Sequence, residues 1–154
     1  MSLKDYYLRR LVKDDLDSVL EIEHLSFPHP WRRTTFMGEL ENYPISIPFG
    51  IIFRPKNRLI GYILLWFIQE EVQISNFALH PDFRKKGVGE AVLRDILDKI
   101  AKEGAEEIFL EVRPSNQDAR SLYEKLGFQI LGLRKNYYQS PVEDALIMGK
   151  NLKN

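Results

Sequence analysis

At 154 residues the chain is long enough to bury a substantial core, and residues 1–154 are read as one domain. Its 22 Lys and Arg balance 22 Asp and Glu, so no net field draws it to nucleic acid or to an anionic membrane. The absence of cysteine excludes disulfides, thiol catalysis and thiolate metal sites. No apolar run approaches a membrane span and no signal-peptide pattern opens the chain, so a cytoplasmic location is expected.

Tyr6 to Val12 reads as a first strand. Asp14 or Asp15 is placed to cap a helix that carries Leu16, Val19, Leu20 and Ile22 on one side. Phe27-Pro28-His29-Pro30-Trp31 breaks that helix, and a second short one runs from Thr34 or Thr35 to about Leu40. Ile47 to Phe53 and Leu59 to Ile68 read as strands meeting at a turn around Pro55-Lys56-Asn57-Arg58, and Glu71 to Leu79 supplies the next strand. A helix from Gly87 to Lys102 sets Val88, Val92, Leu93, Ile96, Leu97 and Ile100 on one stripe and stops at Gly104. Ile108 to Val112 is a short buried-type strand. Ser115 or Asn116 then caps a helix with Ala119, Leu122, Tyr123 and Leu126 at helical spacing, ended by Gly127. Phe128 to Leu133 and Ala145 to Met148 form a closing strand pair. This order predicts an α+β fold with a mixed sheet, not a βαβ repeat.

The stretch from Asn76 to Leu93 carries the strongest chemical signal. A strand feeds a basic run, Arg84-Lys85-Lys86, and then Gly87-Val88-Gly89 opens a helix. Unpaired N–H groups at a helix start, a favourable dipole and glycines that admit close approach suit a phosphorylated ligand. A Walker loop requires Lys followed by Ser or Thr, yet Glu90 follows Gly89; a dinucleotide fingerprint requires a third small residue where Val92 stands. His24, His29 and His80 have no metal-ligand spacing, so no metal is expected.

The turn Arg84-Lys85-Lys86-Gly87-Val88-Gly89 resembles the pyrophosphate-binding signature of the GNAT acetyltransferases, which bind acetyl-CoA. Asn76-Phe77-Ala78-Leu79-His80-Pro81, Leu110-Glu111-Val112-Arg113, Asn116, the run Leu122 to Phe128, and Arg134-Lys135-Asn136-Tyr137-Tyr138 with Asp144-Ala145 extend the likeness. This second half is similar to the RimI type, which acetylates the N-terminal alanine of a small-subunit ribosomal protein. Phe27-Pro28 and Trp31 resemble the segment joining that family's first two helices. The resemblance implies a GNAT fold: a single mixed sheet of about seven strands flanked by four helices and splayed between strands four and five to hold acetyl-CoA.

It also implies roles. Backbone groups of Phe77, Ala78 and Leu79 would meet the pantetheine arm. Arg84, Lys85, Lys86, Gly87, Val88, Gly89 and Glu90 would cradle the pyrophosphate, Glu90 through its N–H, and Asn116 would touch the cofactor through its side chain. Glu111 would act as general base and Tyr123 as general acid, with Glu71, or a water held by backbone groups nearby, the competing base. Tyr137 and Tyr138 would wall the acceptor on one side, Phe27 and Trp31 on the other. Arg32-Arg33 and Arg134-Lys135 read as solvated charges.

Acetyl transfer from a thioester to an amine needs a neutral nucleophile, an acceptor for its proton and stabilisation of the departing thiolate. Deprotonating a protein N-terminal amine at pH 7 costs only about 1–1.4 kcal/mol, against about 4.6 for lysine. A tyrosine is a weaker acid than a thiol, so outright proton donation by Tyr123 runs uphill by about 2 kcal/mol and its hydroxyl is expected to hydrogen-bond the thiolate. The resemblance implies Nα-acetylation of a protein or peptide N-terminus; a monomer or weak dimer is expected, with no nucleic acid as main ligand and no membrane. A lysine or small-amine acetyltransferase and a non-catalytic acetyl-CoA-binding module are the alternatives.

Overall fold

The computed structural model describes residues 5–153; Met1 to Lys4 and Asn154, which the one-domain reading includes, lie outside the described residues. Seven strands form one sheet: β1 (Tyr6–Arg10), β2 (Ser46–Phe53), β3 (Arg58–Ile68), β4 (Glu71–Leu79), β5 (Glu107–Val112), β6 (Gln129–Tyr138) and β7 (Glu143–Asn151). Four α-helices flank it: α1 (Leu16–Ser26), α2 (Arg33–Glu41), α3 (Val88–Lys102) and α4 (Gln117–Lys125). The strand order is β1-β2-β3-β4-β5-β7-β6, with β4 and β5 parallel and every other neighbouring pair antiparallel. Only a long crossover can join parallel neighbours, and α3 provides it.

Local chemistry adjusts several expected boundaries. β1 stops at Arg10, and the Leu11 N–H goes to Pro48 O at 2.9 Å. Asp15 stands at the N-cap of α1 but makes no side-chain bond to the helix. Its carboxylate turns back to the Val12 N–H at 2.8 Å and to Arg9, which holds it at 2.8 and 2.9 Å. α2 begins at Arg33, ahead of both threonines. β6 runs on to Tyr138, so the two tyrosines lie in a strand rather than just before a loop.

Two cores lie on opposite faces of the sheet. On one, the stripe of α3 (Val88, Val92, Leu93, Ile96, Ile100) packs with Ile63, Ile108, Leu110, Tyr123, Phe128 and Met148. Each such burial contributes roughly 1.5–3 kcal/mol relative to exposure. On the other, α1 and α2 bring Leu16, Val19, Ile22 and Phe36 onto Tyr62, Leu64 and Ala78. A bulge in β4 redistributes residues between these faces: Leu64 pairs with Asn76 and Leu65 with Ile74, which leaves Ser75 as the extra residue. One extra residue reverses the alternation. Val72 and Ile74 therefore face α3, whereas Ala78 joins the α1–α2 core and Asn76 turns towards α1.

Candidate active site

The expected anion cradle is built almost wholly from backbone. After β4 the chain adopts positive φ at Lys85 (59°) and at Gly87 (83°), then enters α3. Gly87 has no Cβ and takes this conformation freely. No side chain caps α3, so the N–H groups of Val88, Gly89 and Glu90 have no partner in the helix; Ala91 is the first to bond, to Gly87 O at 3.1 Å. The Glu90 carboxylate is drawn aside to Lys125 at 2.7 Å and Arg94 at 3.2 Å, and hydrogen bonds from these two hold it below the usual carboxylate range. What Glu90 offers towards the helix axis is its amide. Lys85 lies 3.8 Å from Asp118, and Lys86 lies 5.8 Å from the Phe83 ring centre. Arg84 is turned inward: its Nε donates to Leu79 O at 2.9 Å and an Nη to Ser26 Oγ at 2.9 Å, clasping the end of β4 to the end of α1.

The sheet opens beside this cradle. Pairing of β4 with β5 runs from Glu71–Glu107 to Ile74–Leu110 and stops there. The bulge at Ser75 adds twist where the strands part. His80 N–H donates to Ile60 O at 2.7 Å, so Ala78, two residues back, exchanges its bonds with Tyr62. Phe77 and Leu79 then direct their backbone groups to the open edge. Of the three expected backbone contacts, Ala78 is committed to the ladder, and the Leu79 carbonyl is taken by Arg84.

Glu111 is the first residue of β5 beyond the last pair with β4. Its side chain is 16% exposed, and Arg134 Nε lies 3.4 Å from Oε1. Burial first, then the neighbouring Glu111 carboxylate, raises the Tyr137 pKa. Tyr138 is pushed up to about 12 by burial and by the Glu111 charge. Tyr123, on α4, is raised further by burial, with Tyr138 a secondary cause. A small cavity of about 180 Å³, lined by Gln73, Phe109, Leu110, Glu111, Arg134 and Ile147, adjoins the carboxylate. Arg134 is thus a charge partner of the expected base, not a free solvated cation. Glu71 faces Glu107 at the closed end of the parallel pair, and Glu107 is four residues, about 13 Å at the usual strand rise, before Glu111. Another cavity, of about 390 Å³, lies along β5, β6 and β7 and touches none of the expected site residues.

Residues 16–128 match the family model described as the acetyltransferase (GNAT) family. The chain belongs to the GNAT acetyltransferases. It is 38% identical over 141 residues, 92% of each chain, to a Bacillus subtilis (strain 168) protein provisionally named a ribosomal protein bS18-alanine N-acetyltransferase. It is 33% identical to the ribosomal protein bS18-alanine N-acetyltransferase of Salmonella typhimurium, over 87% of this chain and 89% of that one. The crystal structure of the Escherichia coli ribosomal-protein-S18-alanine N-acetyltransferase superposes with a TM-score of 0.87 at 30% identity, covering 97% of this chain and 95% of the other. Ard1 of Thermoplasma volcanium, at 24% identity and TM-score 0.85, shares the fold. The chain is a GNAT N-acetyltransferase with similarity to the RimI type over nearly its whole length.

GNAT enzymes use acetyl-CoA as donor, and this chain's residues fit it. The uncapped amides of α3 suit a pyrophosphate, and the free edge of β4 suits an extended amide-bearing arm. Asn116 caps α4 by accepting the Ala119 N–H at 3.2 Å, which leaves its NH₂ group for a ligand. Among the described residues the Tyr123 hydroxyl has no hydrogen-bond partner, although its ring is buried beside Phe128.

The residues expected to wall the acceptor rest on side-chain networks that sequence alone did not assign. Trp31 packs 5.3 Å from Phe36 between ring centres, and Phe27 leans on the same core. Opposing charge fastens the β6–β7 hairpin. Arg113 donates to Gln139 O and Pro141 O at 3.1 Å each, lies 3.3 Å from Glu143, and sits 4.3 Å from the Tyr138 ring centre. Ser115 adds bonds to Glu143 through N–H and Oγ at 3.2 and 2.7 Å. Beneath the Phe27–Trp31 segment, Glu23 is 1% exposed. Its signal was in the sequence: it falls on the same helical stripe as Leu16 and Val19, where a charge is out of place.

Proposed function

We propose that the chain, working as one acetyltransferase domain, acetylates the free N-terminal α-amine of a protein, and that a ribosomal-protein N-terminal alanine is its acceptor. The observation that carries this is Glu111 at the mouth of the strand splay, paired with Arg134 and close enough to Tyr137 and Tyr138 for its charge to act on both. The names of its relatives support the acceptor. A cytoplasmic location goes with it, since ribosomal proteins are made there.

Acetyl-CoA supplies a thioester acetyl group when bound. Glu111 takes the proton that the amine releases as its nitrogen bonds to the acetyl carbon, directly or through one water. Arg134 keeps the carboxylate oriented. Tyr123 donates a hydrogen bond from its hydroxyl to the sulfur as the C–S bond breaks. Because burial raises its pKa, Tyr123 is a still poorer acid than a free tyrosine, so stabilising and orienting the sulfur is its main task. Phe77 and Leu79 bind through backbone groups, and the amides of Val88, Gly89 and Glu90 bind phosphate. The tyrosines on one side and the Phe27–Trp31 loop on the other hold an extended peptide start. A lysine acceptor would load a further penalty of about 3 kcal/mol onto the same carboxylate.

The test is thiol release from acetyl-CoA with short peptides that differ at residue one, each with a free and a blocked N-terminus. Turnover restricted to free N-termini and fastest for alanine is the expected result. Turnover that survives blocking but requires an internal lysine, or binding without turnover on any peptide, overturns it.

A further inference from the structure

A carboxylate in an apolar interior is strongly unfavourable unless each oxygen finds a donor. Glu23, on α1, meets that demand in a divided way. Oε1 accepts the Tyr62 hydroxyl of β3 and the Asn76 Nδ2 of β4 at 2.9 Å. Among the described residues, Oε2 accepts only the Trp31 backbone N–H, at 2.8 Å. One oxygen is thus fixed to the sheet and the other to the α1–α2 loop. Asn76 reaches Glu23 because the Ser75 bulge turns it to this face, and it immediately precedes Phe77 on the open edge of β4. Pro28 and Pro30 lack N–H groups, and of the segment's remaining amides Trp31 is the one that bonds to this anchor. The neighbouring cation is Arg84, which acts on Tyr62 and bonds to Ser26 at the end of α1.

We propose that Glu23 is a positioning residue for the acceptor: fixed to β3 and β4 through Oε1, it holds the Trp31 amide through Oε2 and so sets the Phe27–Trp31 wall against the strand that binds the donor. This rests on the acceptor role given to that loop above. Glu23 touches no reacting atom. It transmits the position of β4 to the loop through three hydrogen bonds, two of them to a carboxylate oxygen that a glutamine retains.

That division supplies the test. In Glu23→Gln the amide oxygen keeps Tyr62 and Asn76, while an NH₂ group replaces the acceptor for Trp31. Amide exchange at Trp31, followed residue by residue by NMR, should quicken by about tenfold or more, with the β3 and β4 amides within about twofold. The KM for an alanine-initiated peptide should rise by about tenfold, and the KM for acetyl-CoA should stay within about twofold. Tyr62→Phe removes a sheet-side bond only; it should lower the Tm and leave the peptide KM within about twofold. Unchanged Trp31 exchange in folded Glu23→Gln, or equal rises in both KM values, overturns the proposal. Should Glu23→Gln not fold, the wild type decides: a Trp31 amide exchanging as fast as those of His29 and Arg32 overturns it, and one protected about tenfold or more supports it. Quickened Trp31 exchange together with no turnover of any peptide by the wild type would support the anchor and overturn the acceptor reading alone.

Discussion

The proposed donor cradle and the proposed acceptor walls sit side by side on one sheet and are built by opposite means. The cradle uses backbone: a left-handed Gly87, uncapped amides and an unpaired strand edge, all produced by a short continuous run of sequence. The walls use side chains drawn from distant parts of the chain: Glu23 on Trp31, Tyr62 and Asn76, and Arg113 with Ser115 on the 139–143 hairpin. A backbone site tolerates changes in most of its side chains and so persists as a motif. A side-chain site can be rebuilt for a new acceptor without disturbing the donor. On the proposed function, specificity for the amine is located in the walls.

That contrast can be broken by mutation. The largest effect is expected for Tyr123→Phe, which removes one hydrogen bond to the departing sulfur: kcat should fall about 10²-fold while both KM values hold, as read from initial rates. Gly87→Ala puts a Cβ on a residue at φ 83° and should raise the KM for acetyl-CoA about tenfold, with the peptide KM unchanged. Arg113→Ala frees the hairpin and should do the reverse, raising the peptide KM about fivefold and sparing acetyl-CoA. Equal shifts of both constants in either variant would mean that donor and acceptor regions are not separable.

The smallest effect concerns the scaffold beneath the cradle. The Tyr6 hydroxyl donates to Asp95 of α3 at 3.2 Å, and burial together with that charge pushes its pKa up to about 12. The neutral form is favoured on folding, so this contribution is complete below the unfolded value near 10 and is lost as pH rises from about 10 through 12. Alkaline unfolding followed by circular dichroism should show a loss across that window, and Tyr6→Phe should move it to higher pH.

Much of this molecule was legible in the sequence, for reasons that differ by region. Regular periods located all four helices and every strand, and β4 was read at its observed limits, Glu71–Leu79. Glycines punctuated the ends of α3 and α4, where positive φ at Gly104 and Gly127 leaves few alternatives. What escaped depends on tertiary context. The bulge at Ser75 leaves the apparent alternation of β4 intact while exchanging its faces, so Asn76 could not be assigned to α1. Arg134 looked like a surface cation because its partner Glu111 lies on a strand joined to it only through β7. Arg84 belongs to the phosphate motif by position, yet in the folded chain it ties Leu79 to Ser26.

The choice of base is the center of the account, and one side-by-side measurement addresses it: initial rates of thiol release by Glu111→Gln and Glu71→Gln at saturating acetyl-CoA and alanine-initiated peptide. Glu111 borders the open splay and Glu71 the closed end. Glu111→Gln should lose about 10²-fold or more in kcat, and Glu71→Gln should stay within about twofold of wild type. Wild-type turnover by Glu111→Gln with loss in Glu71→Gln would contradict the account.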